Sequence, residues 1–363
     1  GPAVAIAKEL ARRGDTVRFI GQSQQREALE DHGFGFAEFS APGSWTATGK
    51  RGGVKNAIGF LRLLTGRRLG RDIVANVKAS PTDLVVVDCL LFGALDVVAK
   101  AGLRHAVLVH SLVEAIHRNI SGGAPGVVAR LAGLHPRTAW ADADAVLVAT
   151  LEELDQHEGA KVALRYTGPA LSVSSPTRMS TATSTAMSTA TPTVLVSLST
   201  TYVAGQVDVL QKILDAVAGL PARFIVTTGP AMSPKELRSP ANAELHDYLP
   251  HSDVMTSASL VVGHGGHSTT MLALAHNLPL VVVPINLVFD QVIIGTVIQN
   301  RGAGLTIPSS SSVAALRDAI DRMLADGPHR TEAARLGAAI RATDGVNTAA
   351  DLLESLVPTT VTG

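Results

Sequence analysis

The chain has 363 residues, enough for about two domains at the usual ~100–200 residues each. Its 31 basic and 31 acidic residues cancel, and no long Lys/Arg block occurs, which argues against nucleic acid as a partner. The single cysteine, Cys89, excludes an intramolecular disulfide framework and any multi-cysteine metal site; no apolar run approaches the ~20 residues of a membrane helix and no signal peptide is visible, so the expected setting is cytoplasmic, with no membrane span.

The chain opens on "GPAVAIAKELARRG". Pro2 near the first turn, an apolar face of Ala3, Ile6, Ala7 and Leu10, and a C-capping Gly14 predict a helix. A strand is expected from Thr16 to Ile20. A parallel α/β domain normally opens with a strand before its first helix, so either this fold opens with a helix or a strand lies upstream. The stretch from Gly43 to Leu69 is rich in Gly and Arg with weak periodicity and reads as loops and short helices. "DLVVVD" (Asp83–Asp88), "HAVLVH" (His105–His110) and "ADAVLVAT" (Ala143–Thr150) read as buried strands, with a helix over Gly93–Gly102.

"LSVSSPTRMSTATSTAMSTATPT" (Leu171–Thr193) is nearly all Ser, Thr, Ala and Pro. Such composition cannot bury a core and predicts a flexible linker. The α/β alternation then restarts. "TVLVSL", "RFIVTTG", "SLVVGHG", "LPLVVVP" and "AGLTIP" read as strands, and "GQVDVLQKILDAVAGL", "TTMLALAHN" and "DQVIIGTVIQNRG" as helices. Three further helices are expected at about Ser312–Asp326, Arg330–Ala342 and Thr348–Leu356. The expected organisation is therefore 1–170, a linker at 171–193, a second α/β domain over 194–345, and a C-terminal helix and tail at 346–363. Two doubly wound domains would have their default ligand site in the cleft between them.

"GHGGHSTT" (Gly263–Thr270) ends an apolar strand and opens a helix. Glycines let the backbone turn sharply and approach a ligand closely. The N–H groups of a helix start suit a phosphate, with Thr269 and His264 as side-chain donors. A plain strand–helix turn with a Ser/Thr N-cap explains the same residues on local grounds. The loop after the next strand carries Asp290-Gln291, an acceptor beside an acceptor–donor, a pair suited to a hydroxyl-rich ligand. Alone, that dipeptide reads as a helix start capped by Asp.

Together, "GHGGHSTTMLALAHNLPLVVVPINLVFDQ…AGLTIP" resembles the donor-site signature of family 1 GT-B glycosyltransferases, above all the bacterial branch acting on macrolides and other natural products. "TVLVSLSTTYVAGQ" resembles the first strand and phosphate loop of the donor domain, "YLPHSDVM" its base-holding loop, and "VALRYTGPAL" the end of the acceptor domain. The resemblance implies two Rossmann-like domains facing across a cleft and inverting transfer of a hexose from a UDP- or dTDP-sugar to a hydroxyl of a hydrophobic small-molecule acceptor. The nucleotide-sugar is then a substrate, with no metal and no other cofactor. It also implies roles. His264 contacts the diphosphate. Gly265, Gly266, Ser268 and Thr269 surround the phosphates, and Thr200 approaches them from the facing loop. Leu249, through its backbone, borders the base beside Pro250 and His251. Asp290 and Gln291 hold the sugar. Departures are His267 and Ser268, where Ala-Gly is usual, and Leu272, where plant relatives carry a ribose-binding Glu.

In the family a His after the first strand removes the acceptor proton, oriented by an Asp. Asp88 matches that Asp; a helix-capping Asp is the plainer alternative. The His is expected upstream of Gly1, beside a first strand also absent from the sequence, with His110 read as a wall residue. On this reading the chain binds donor but turns over poorly, and the neighbours of the first strand lack ladder partners. Ser111–His135 is the expected acceptor wall. A degenerate homologue that binds nucleotide without catalysis, another GT-B sugar-nucleotide enzyme, and a dinucleotide oxidoreductase are the alternatives. The last lacks its G-x-G-x-x-G at the N-terminus.

Overall fold

A computed structural model describes residues 1–40, 53–155, 162–171, 191–198, 203–230, 232–286 and 289–357. Thr200 and most of the Ser/Thr-rich stretch lie outside the described residues. The chain divides into two compact units, Gly1–Ala170 with Thr343–Gly363, and Leu171–Ala342.

The first unit opens with the helix Pro2–Arg13, ended by Gly14 at φ 107°, a left-handed cap that glycine adopts without a Cβ penalty. Strands β1 (Arg18–Gly21) and β2 (Gly35–Glu38) pair in parallel as a sheet of their own. β3 (Val85–Asp88), β4 (His105–Val109), β5 (Ala145–Val148) and β6 (Leu164–Tyr166) form a second parallel sheet in that order. β4 and β5 have a neighbour on each side and are buried along their whole length, which is why they read as unbroken apolar runs. β3 and β6 are the edges among the described strands, and Val86 on β3 is 43% exposed.

The region expected to hold loops and short helices carries two long ones where it is described, Gly53–Thr65 and Arg67–Ala79, of 13 residues each. Leu64, Leu69 and Ile73 are their buried anchors. Arg62, Arg67, Arg68 and Arg71 interrupt the apolar spacing along this stretch, and Arg62, Arg68 and Arg71 are exposed on the helices.

The chain returns to this unit at its C-terminus. The helix Gly345–Ser355 buries Ala349 and Leu353 in one core with Ile6, Ala106, Leu108 and Leu147. Arg13 reaches the same helix, donating to Asn347 Oδ1 at 2.9 Å and Glu354 Oε2 at 2.8 Å. Gly345 sits so close to the Gly168 and Pro169 carbonyls that a Cβ there would stand 2.6 Å from each oxygen.

The second unit is a six-stranded parallel sheet: β7 (Thr193–Ser197), β8 (Arg223–Thr227), β9 (Ala243–His246), β10 (Ala258–Gly263), β11 (Leu280–Val282) and β12 (Gly304–Thr306). Their order is β12-β11-β10-β7-β8-β9. Helices Gln206–Val217 and Val313–Leu324 cover one face, burying Leu210, Ile213, Leu214, Leu316 and Ile320 against Val194, Val196, Phe224 and Val262. Among the described residues no helix is long and apolar enough to cross a membrane.

Candidate functional site

In the second unit the chain lays β8 and β9 to one side of β7, and β10 to β12 to the other. Where strand order reverses, the connections leave on opposite faces and a crevice opens beyond the strand C-termini. Its floor is Ser197 and Gly263, register partners and the last residues of β7 and β10. The glycine turn starts there.

That turn is compressed from two sides. Gly265 has φ 84°, and a Cβ on it would stand 2.8 Å from both the Gln291 carbonyl oxygen and Val282 Cγ1. A Cβ on Gly266 would meet His264 Nε2 at 2.5 Å. Glycine is therefore required twice, once for conformation and once for the imidazole beside it. Gly266 is also the N-cap of the helix His267–Ala275, with no side-chain cap, so the expected alternative of a Ser/Thr cap does not hold. The first bond of that helix runs from Thr270 N–H to the Gly266 carbonyl, and the N–H groups of a helix's first turn have no acceptor within the helix itself. Ser268 is exposed and Thr269 half-buried at this end.

The floor holds a hydroxyl–imidazole chain. Thr227 Oγ1 donates to Ser197 Oγ at 2.9 Å and lies 3.2 Å from His251 Nε2. Burial pushes His264 down to about 4, against a smaller upward effect of its hydrogen bond with the Ser197 backbone; nearby His251 adds to the lowering. Burial lowers His251 as well. Both rings are neutral near pH 7 and act by hydrogen bonding rather than by charge. Ser197 and Thr227 escaped the sequence reading. Their signal was present, a hydroxyl closing each of the adjacent apolar strands "TVLVS" and "RFIVT".

The Asp-Gln pair begins the helix Gln291–Asn300, with Asp290 as its N-cap residue but without a side-chain capping bond. Gln291 is buried, and its Oε1 accepts from the backbone N–H groups of Ile285 and Asn286, each at 2.9 Å. The amide oxygen thus holds the loop that follows β11. Leu249 is half-buried and sits two residues before His251, whose ring reaches Thr227. The structure therefore brings His264, Gly265, Gly266 and Gln291 into contact and sets the segment of Leu249 at the adjoining strand end.

Asp88 ends β3 in the first unit. Its Oδ1 accepts from Leu90 N–H at 2.9 Å, and its Oδ2 lies 3.2 Å from His110 Nε2. Asp88 and Leu108 are register partners, which carries His110, two residues on, to the same edge. Burial raises the Asp88 carboxyl, but the charge and hydrogen bond of His110 and the Leu90 N–H outweigh it and leave it below its usual range. Burial lowers His110, yet Cys89 and Asp88 together hold it well above 6.5. His110, expected as a wall residue, is among the described residues a histidine that Asp88 engages. The cause is the adjacency of two parallel strands, which spacing along the chain does not reveal.

Comparison with known proteins adds the family context. Residues 211–354 match the model of the erythromycin biosynthesis protein CIII-like C-terminal domain. A PGL/p-HBAD biosynthesis glycosyltransferase of Mycobacterium tuberculosis is 29% identical over 204 residues, 55% of this chain and 45% of that protein. The demethyllactenocin mycarosyltransferase of Streptomyces fradiae is 28% identical over 164 residues, 45% of this chain and 35% of that protein. The matches thus span less than half the length of these curated relatives. Among solved structures, the calicheamicin glycosyltransferase CalG4 superposes with a TM-score of 0.76 at 19% identity, covering 99% of this chain and 95% of that one. VinC, solved in complex with dTDP, superposes at 0.71 with 18% identity, covering 98% and 96%. The fold is GT-B.

Proposed function

From the premise that this chain belongs to the natural-product branch of the GT-B glycosyltransferases, with an EryCIII-like C-terminal domain, we propose that it transfers a hexose from a UDP- or dTDP-sugar to a hydroxyl of a hydrophobic small molecule, with inversion. The observation that carries this reading is the packing of the glycine turn against the start of the Gln291 helix, with His264 beside Gly266, at the switch point of a parallel sheet. A diphosphate seated there would lie at the N-terminus of the helix His267–Ala275, beside a neutral imidazole that donates without needing charge. Ser197, Thr227 and His251 hold the floor under it. Asp290 and the amide nitrogen of Gln291 offer the acceptor and donor that sugar hydroxyls take. Leaving-group stabilisation then comes from protein dipoles, and transfer needs no metal.

Thr200, Ser268, Thr269 and Leu249 complete the proposed donor set, and Asp88 orients the proton acceptor. Relatives solved with thymidine diphosphate and with an aglycone give the substrate classes this reading borrows. The test is calorimetric titration with UDP, dTDP, GDP and NAD, followed by a transfer assay with the nucleotide that binds. Binding of UDP or dTDP but not NAD, abolished by Gly266→Val, supports the reading; binding of NAD alone sinks it.

A second reading is a homologue that binds nucleotide without turnover. It is favoured by Asp88, whose carboxylate His110 already engages. Nucleotide affinity with no transfer to any tested aglycone would put it first.

A further inference from the structure

We propose that Asp88, Cys89 and His110 form a binding site for a thiophilic divalent cation of the zinc class. The three side chains offer one oxygen, one sulfur and one nitrogen donor, all within 4.8 Å of one another. That mixture matches zinc, which takes carboxylate, thiolate and imidazole together, and is unsuited to magnesium or calcium, which select oxygen.

The geometry is close to what a tetrahedral ion needs. Bond lengths of ~2.0–2.3 Å place neighbouring donors of a tetrahedron about 3.3–3.8 Å apart. Asp88 Oδ2 and His110 Nε2 already stand at 3.2 Å, so shifts of roughly an ångström in the rest complete the set. The Asp88 and His110 side chains are 44% and 39% exposed, which leaves an entry path and a fourth position for water. Cys89, by contrast, is fully buried.

The backbone carrying these donors is held in place. Cys89 N–H donates to the Leu108 carbonyl at 3.2 Å, so the turn is tied to β4. Trp140 Nε1 donates to the Cys89 carbonyl at 3.0 Å, and its ring stacks on His117 with centroids 5.1 Å apart. Leu90 N–H fixes the other Asp88 oxygen at 2.9 Å. Two strand ends, an indole and an amide thus set the donors before any ion arrives, and such support makes a site selective. On binding, the Cys89 thiol proton and the His110 Nε2 proton go to solvent, and the Asp88–His110 contact is replaced by two bonds to the ion.

The consequence for activity rests on the transferase reading above. An ion on Asp88 removes the carboxylate from its orienting role, so zinc is expected to inhibit transfer rather than support it.

The test uses cobalt(II) as a spectroscopic stand-in for zinc, added to the whole chain. The expected result is one equivalent bound, a thiolate-to-cobalt charge-transfer band, tetrahedral visible absorption, and displacement by zinc. Cys89→Ser should abolish the charge-transfer band, and His110→Gln should weaken binding by tenfold or more, on the order of losing a supporting ligand contact. His110 is partly exposed, so that variant keeps a readout if the buried Cys89 change impairs folding. Absence of the band in the wild-type chain, or its persistence in Cys89→Ser, overturns the proposal. The spectrum needs no transfer activity: a wild-type chain that shows the band with cobalt, yet neither binds nucleotide nor transfers sugar when freed of metal by a chelator, defeats the transferase reading and leaves the cation site standing.

Discussion

The backbone of Gly265 lies against that of Gln291, so closely that a single added carbon would stand 2.8 Å from the Gln291 carbonyl oxygen. Two motifs about 25 residues apart in sequence are therefore one structural object. The glycine turn cannot widen without moving the helix that carries the Asp-Gln pair, so the subsites proposed for diphosphate and for sugar are mechanically joined.

Gly265→Ala tests that joint. The substitution forces a left-handed backbone at φ 84° and a clash with both Gln291 and Val282. A loss of about 1–3 kcal/mol is expected in the second unit, with weaker nucleotide binding. Urea denaturation followed by a nucleotide titration measures both; wild-type stability would mean the turn relaxes freely.

Gln291 separates a structural from a ligand role. Gln291→Ala leaves the Ile285 and Asn286 N–H groups without their acceptor and should cost about 1–3 kcal/mol. Gln291→Glu keeps the oxygen but loses the amide donor. It is expected to recover most of the stability while raising the KM for donor. If Glu restores both, the amide nitrogen has no part in sugar binding.

His264 gives the second unit a pH dependence. Its folded value of about 4 lies below the ordinary 6.5, so the unfolded chain binds the extra proton first as pH falls. The stability this contributes is full above about pH 6.5 and is lost as pH falls toward 4, on the order of 3 kcal/mol in all. His264→Gln should flatten that part of the stability profile. A profile unchanged by the substitution would place the buried proton elsewhere.

The Asp88–His110 pair has the opposite sign on its histidine side. His110 is raised, so its contribution is complete below about pH 6.5 and fades as pH rises through its higher folded value. Asp88 is lowered, so its contribution is present above about pH 4 and is lost at more acid pH. Asp88→Asn should bring the His110 titration, followed by NMR, back toward the ordinary range. A His110 curve indifferent to that change would break the pair.

The C-terminal helix should report on the first unit. Leu353 is 3% exposed in a core shared with Ile6 and Leu108. Leu353→Ala is expected to destabilise that unit by about 2–4 kcal/mol and leave the second unchanged, seen as one shifted transition of two in calorimetry. A shift of the second transition instead would mean the helix belongs with the nearer sequence.

Much of this was legible in the chain. Strands buried on both faces appear as runs such as "HAVLV" and "TVLVS", because a parallel sheet covered by helices has no polar face to show. Gly14, Gly265 and Gly266 announced their turns, since no other residue bears those conformations or contacts cheaply. The strands missed, β2, β6 and β9, have only three or four residues each, too few for a period to stand out. The helices over 53–79 were hidden by charge, their burial resting on a few leucines and an isoleucine.

The sequence by itself determined the alternation of elements and the residue types at the strand ends, because these depend on local sterics and on the period with which apolar groups recur. Only the tertiary structure decided which strand ends are neighbours. That adjacency joins Ser197 to Thr227 and His251, Gly265 to Gln291, and Asp88 to His110. Sheet order is set by how whole layers pack, and no short stretch of chain contains that information.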